Sequence, residues 1–109
     1  MGAFEQMVLL ALIRLGSGAY GMEVRREIEE RTGREVSIAA VYTTLGRLEA
    51  KGFATHEIGE PTPERGGRAK KHYRVLPEGF AALEETRAAL DSMWQGLRGG
   101  ASGVGRGRT

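Results

Sequence analysis

Tyr42, Thr43, Thr44 and Arg47 stand together in a stretch that opens with Ser37 and carries the small residues Ala39 and Ala40. These types suit binding rather than bond-making. Threonine hydroxyls can hydrogen-bond a phosphate or a base edge, and their methyls can touch thymine. Arg47 can reach phosphate or guanine. The Tyr42 phenol can reach a backbone phosphate while its ring packs against the domain. Ala39 and Ala40 would permit close approach. A second set is basic: Arg65, Arg68, Lys70, Lys71 and Arg74. Such a cluster can bind phosphate, and it can equally be a solvated turn.

Catalytic chemistry has little to work with. The chain has no cysteine, so disulfides and thiolate metal sites are impossible. Its two histidines, His56 and His72, fall on predicted strands and could face each other, with Glu57 and Glu60 near in sequence. A zinc site built this way is possible but nonspecific. The glycine-rich segments lack a lysine-bearing phosphate loop. The serines lack a partner pattern for nucleophilic attack. Glu23, Glu27 and Glu30 read as a solvated helix face. No enzyme, metal or cofactor is expected.

Periodicity assigns these side chains to helices and strands. Between Ser37 and Gly52, Val41, Leu45 and Leu48 recur at steps of four and three, which defines one apolar helix face. Ser37 can cap that helix. The opposite face is small and polar, with Ala40, Thr43, Thr44 and Arg47, and Tyr42 near its edge. An ordinary surface helix would carry more charge. This one suits close contact with something large and negative, although a plain core helix remains the alternative.

Upstream, Phe4–Leu15 reads as a first helix, with Phe4, Met7, Val8, Ala11, Leu12 and Leu15 in period and Leu9, Leu10 and Ile13 widening the apolar surface. A helix apolar on nearly every side is buried on more than one side. A partner subunit could cover what one small core does not, or this could simply be the central helix. Gly16, Ser17, Gly18 and Gly21 break the chain. A second helix follows over Gly21–Thr32, with Val24 and Ile28 inward and Gly33 placed to end it. Val36 could make one β pairing. Two short helices joined in this way fit a helix-turn-helix.

After Gly52 the period falls to two. Phe53–Ile58 and Lys70–Leu76 predict two strands around a loop that holds Pro61, Pro63, Gly66 and Gly67. That hairpin is a wing. Pro77 opens a last helix, with Glu78 favourable to its dipole. Phe80, Leu83, Arg87, Leu90, Trp94 and Leu97 follow heptad spacing and need a partner. GGASGVGRGRT, from Gly99, reads as a disordered tail.

The predicted fold is therefore mainly α with a small β-hairpin: a winged helix-turn-helix over residues 1–76, a dimerisation helix over 77–98 and a flexible tail over 99–109. The net charge is +2. It divides as 7 Lys/Arg against 9 Asp/Glu over residues 1–60, and 9 against 5 over residues 61–109. No apolar run approaches the roughly 20 residues that span a bilayer. Met7–Ile13 has no secretory leader before it, so a cytoplasmic location without a membrane partner is expected.

The residues that carry a resemblance are Tyr20-Gly21 with Glu23 and Ile28, then Val41-Tyr42, Leu45, Arg47-Leu48-Glu49 and Gly52. They continue with Gly67-Arg68, Lys70-Lys71 and Tyr73, and with Pro77-Glu78-Gly79. Together they resemble the PadR-like transcriptional regulators in their short form, over roughly residues 4–97. The resemblance implies a homodimeric repressor whose Tyr42 and wing hold double-stranded operator DNA. It implies a dimer interface from the first and last helices: Phe4, Met7, Val8, Ala11, Leu83, Leu90, Trp94 and Leu97. Some short members are similar to multidrug sensors that stack planar aromatic molecules between subunits. That would make Trp94 and Leu90, with Phe4 and Val8, a ligand-lining set, unless Trp94 merely packs the seam.

The chain departs from the family pattern in three places. Ile38-Ala39-Ala40 stands where Pro-Gly-Thr is frequent, Ala69 replaces a wing proline, and Leu76 replaces a capping threonine. A different operator preference, a looser wing and another source for the last cap are expected. Two further hypotheses stay open: a protein-interaction module that uses the apolar last helix, and a small enzyme.

Overall fold

The computed structural model describes residues 1–16, 18–59 and 70–97. Four helices and one hairpin follow in the order α1 (Ala3–Leu15), α2 (Gly21–Thr32), α3 (Ile38–Ala50), β1 (Ala54–Ile58), β2 (Lys71–Val75) and α4 (Pro77–Trp94). This is a mainly α, winged helix-turn-helix architecture. No helix among the described residues is long and apolar enough to cross a membrane.

The helix ends follow the local chemistry. Ser37 caps α3 by accepting the Ala40 N–H at 3.0 Å. Gly33 ends α2 in the left-handed region (φ 72°) and donates its N–H to Glu29 O. The α2–α3 connection is tied by the Val36 N–H, which donates to the Glu29 carboxylate at 2.9 Å. That bond replaces the strand pairing expected at Val36. The start of α4 has no side-chain cap. Instead the Gly79 N–H donates back to Leu76 O at 2.8 Å, Pro77 has no N–H to satisfy, and the Leu76 N–H ties the entry to Phe53 O. Gly79 permits this docking, because a Cβ there would lie 2.3 Å from Phe53 O.

The core forms where the inward stripes of three helices meet. Val8, Leu9 and Leu12 of α1, Val24 and Ile28 of α2, and Val41, Leu45 and Leu48 of α3 are buried. Tyr73 closes it from the hairpin. β1 and β2 pair antiparallel, with Ala54 opposite Val75 and Ile58 opposite Lys71. A third edge forms at Ala19, whose carbonyl accepts the Tyr73 N–H at 2.8 Å. The wing is thereby fixed to the turn between α1 and α2.

α4 ends three residues earlier than its apolar spacing predicts. Gln95 leaves the helical conformation and Gly96 turns the chain at φ 86°. Leu97 therefore lies in the turn beyond the helix. The dimerisation segment expected over residues 77–98 is helical only to Trp94. The tail expected from residue 99 lies outside the described residues.

Candidate nucleic-acid interface

The outer face of α3 is exposed and nearly free of charge. Ala39, Ala40, Tyr42, Thr43, Gly46, Arg47 and Ala50 stand on it, and Ser37 is exposed at its start. Thr44 is not among them. It is 4 % exposed and packs with Val41, Leu45 and Leu48. Three residues after Val41 and four before Leu48, it belongs to the inward stripe of a 3.6-residue period. The expectation that Thr44 joins the polar face is corrected.

Gly46 also stands on this exposed face. It sits in mid-helix, and a Cβ added to it would meet nothing within 4 Å. Internal packing therefore does not require a glycine there. A helical glycine costs about 0.5–1 kcal/mol relative to alanine. Its signal was present in the sequence as a glycine inside a strong helical period.

Tyr42 is 46 % exposed, yet its ring is held against the first residue of α2. A Cβ on Gly21 would lie 2.5 Å from Tyr42 Cζ and 2.8 Å from the phenol oxygen. Arg47 is exposed, with no ion pair among the described residues. Lys51, just past α3, is engaged. Its Nζ donates to both Glu5 carboxylate oxygens, at 2.9 and 3.0 Å. That bond, acting against burial, holds the Glu5 carboxyl below its ordinary range.

On the hairpin, Lys71 and Arg74 are exposed, and Lys70 lies with its Nζ 4.5 Å from the centre of the Tyr20 ring. Arg65 and Arg68 fall outside the described residues, as does Ala69. The two histidines do not face each other. His56 is opposite Tyr73 and His72 is opposite Glu57, so neighbouring register positions send them to opposite faces. His56 pairs with Glu49 of α3. Among the described residues no cluster of three potential metal ligands forms. Burial, and then the Glu49 carboxylate, push the Tyr73 phenol up from its ordinary range.

A second surface lies between α1 and α4. Leu10 and Ile13 of α1, with Phe80, Leu83, Leu90 and Trp94 of α4, line an open groove of about 440 Å³. Phe80, Leu90 and Trp94 are about half exposed, as is Leu97 beyond the helix. Val8 and Ala11 do not reach this surface. They are 0 % and 3 % exposed because α1 turns them toward α2 and α3. Leu83 is also mostly buried. The exposed large apolar residues of α1 are Leu10, Ile13 and Leu15, and Phe4 and Met7 pack partly into the core. Of the expected ligand-lining set, Trp94 and Leu90 share the groove, Val8 is enclosed, and Phe4 does not border it.

Helix pair, exposed third helix and hairpin define the class of winged helix-turn-helix regulators. The model of the transcriptional regulator PadR-like family matches residues 9–85, and the chain belongs to that family. This is a family of regulators rather than enzymes. The chain is 42 % identical over 72 residues to the transcriptional regulator Rv3488 of Mycobacterium tuberculosis, a match that covers 66 % of this chain. The match spans 64 % of that relative's length. A PadR family regulator from Eggerthella lenta is similar in structure, with a TM-score of 0.66 and 26 % identity over 84 % of this chain and 77 % of that one. A transcriptional regulator from Clostridium thermocellum shares the fold, with a TM-score of 0.70 and 24 % identity over 84 % of this chain and 85 % of that one.

Proposed function

We propose that the chain is a homodimeric, sequence-specific repressor that reads double-stranded DNA with the outer face of α3. The observation that carries this reading is that face itself: exposed, small and uncharged except for Arg47, with Tyr42 braced at its edge. A helix of this breadth fits the major groove. Arg47 and Thr43 reach base edges or phosphate, Tyr42 reaches the backbone, and Ala39 and Ala40 let the helix sit close. Ser37 spends its oxygen on the cap, so its contribution is to aim the helix. Lys70 and Lys71 meet neighbouring phosphates, and Arg65 and Arg68, outside the described residues, add positive charge to the same stretch of chain.

Residues 1–76 act as the DNA-binding unit, and residues 77–98 join two copies. Support for the dimer comes from the half-exposed Leu10, Phe80, Leu90 and Trp94, which one chain leaves wet. Covering the exposed half of each is worth on the order of 1 kcal/mol. Two-fold symmetry then pairs two α3 helices with two half-sites. A planar aromatic molecule bound beside Trp94 and Leu90 would release the DNA by changing how the two copies meet. The exposed α4 seam also favours a second reading, in which it binds a different protein and DNA plays no part.

Selection from a random pool of duplexes tests the proposal. Enrichment of one motif with two-fold symmetry supports it. A bound pool no richer in any motif than the starting one contradicts it.

A further inference from the structure

We infer that His72 is a positioning residue that sets the angle of the wing against the helix pair, and with it where the wing lysines meet DNA. This rests on the DNA-binding reading above. His72 points away from the core side of the hairpin, yet its imidazole is only partly exposed. Its Nδ1–H donates to the Gly18 carbonyl in the α1–α2 turn at 2.7 Å. Its ring meets the Tyr20 ring edge-on, with centres 4.8 Å apart and planes at 74°. Gly59, at the end of the first wing strand, packs its backbone on the far side. A Cβ there would lie 2.6 Å from His72 Nε2.

The imidazole is thus clamped between wing and turn, and the turn leads directly into the recognition unit. Tyr20 is the residue before α2, and its N–H donates to Glu23 at 2.9 Å. The next residue, Gly21, carries the Tyr42 ring. Lys70 rests over the other partner of His72, the Tyr20 ring. A path of contacts therefore runs from Lys70 and His72 through Tyr20 and Gly21 to Tyr42. The backbone bond from Tyr73 to Ala19 lies beside it and does not depend on the side chain at position 72. Loss of the imidazole donor frees the wing to tilt without detaching it.

The test compares His72→Leu, which keeps bulk without a donor, with His72→Asn, which keeps a donor near the place of Nδ1. Amide hydrogen exchange of the wing strands is read first, in the free protein. Exchange several-fold faster in His72→Leu and near wild type in His72→Asn is expected. Equal exchange in all three proteins overturns the clamp, whatever the chain binds. Operator affinity and its salt dependence are read next. His72→Leu should bind several-fold more weakly with a salt slope smaller by about one to two, as Lys70 and Lys71 leave their phosphates. His72→Asn should restore both. An unchanged slope in His72→Leu overturns the positioning role. Failure of the wild type itself to bind DNA overturns the DNA-binding reading instead, and the positioning role with it.

Discussion

The Tyr42 ring occupies the space that a side chain on Gly21 would need. Its Cζ and Cε1 lie 2.5 and 2.6 Å from where that Cβ would stand. The start of α2 thereby holds an exposed side chain of α3 in one orientation. Gly21→Ala should push the ring out, lower stability by about 1–3 kcal/mol and weaken DNA binding. The melting point should drop by roughly 4–8 °C per kcal/mol. Tyr42→Phe keeps the ring and loses the phenol. Its melting point should stay near wild type while operator affinity falls. An unchanged melt for Gly21→Ala would mean that the two residues are not packed in solution.

Gly46 should separate stability from function. Gly46→Ala adds a methyl to an exposed helix position that meets nothing within 4 Å. The fold should gain about 0.5–1 kcal/mol, read as a higher denaturant midpoint. If the outer face of α3 enters the groove as proposed, specific DNA binding should weaken, because the methyl would stand between helix and bases. Undiminished binding by the more stable variant would show that DNA does not come close there.

Glu5 makes stability depend on acid. Its carboxylate is 12 % exposed and bonded to Lys51, whose side chain is 46 % exposed. The Lys51 bond holds the folded pKa below the ordinary 4.5, so between the two values the unfolded chain binds more protons. The stabilisation is complete above the unfolded value and is lost as pH falls through the folded one. With Lys51 partly screened by solvent, Glu5→Gln should cost about 1 kcal/mol near neutral pH. The gap from wild type should narrow in acid. Urea midpoints at about pH 7 and about pH 3 measure it. A gap that does not change with pH would remove Glu5 from the acid limb.

The proposed pairing of two copies through α4 is tested by mass. Light scattering should give twice the 11.8 kDa of one chain. Leu90→Asp places a charge in the seam and should give monomers. A stable Leu90→Asp dimer would move the interface elsewhere. Planar aromatic compounds should quench Trp94 fluorescence to saturation if the groove takes ligands, and quenching without saturation would count against that site.

Sequence revealed the elements better than their contacts. The residues Gly21–Thr32 mark α2 because glycines bracket a clean inward pair, Val24 and Ile28. Ser37 and the stripe Val41, Leu45 and Leu48 place α3 equally well. α1 was harder. Its apolar residues point in every direction, so periodicity could not tell the enclosed Val8 and Ala11 from the exposed Leu10 and Ile13. Thr44 is polar by type but inward by phase, and the phase decides where it goes. The Ala19 edge, the Gly21–Tyr42 contact and the His72 clamp join residues far apart in the chain. A one-residue bridge or a close approach leaves no repeating signal.

The most direct measurement is fluorescence anisotropy of a labelled duplex from upstream of the protein's own gene. It is titrated beside a scrambled duplex at about 0.15 M salt, where exposed charges are screened beyond roughly 8 Å. Wild type should bind the native duplex much more tightly, and Arg47→Ala should lose most of that preference. Equal binding to both duplexes, or to neither, or a preference that survives Arg47→Ala, would contradict reading by the outer face of α3.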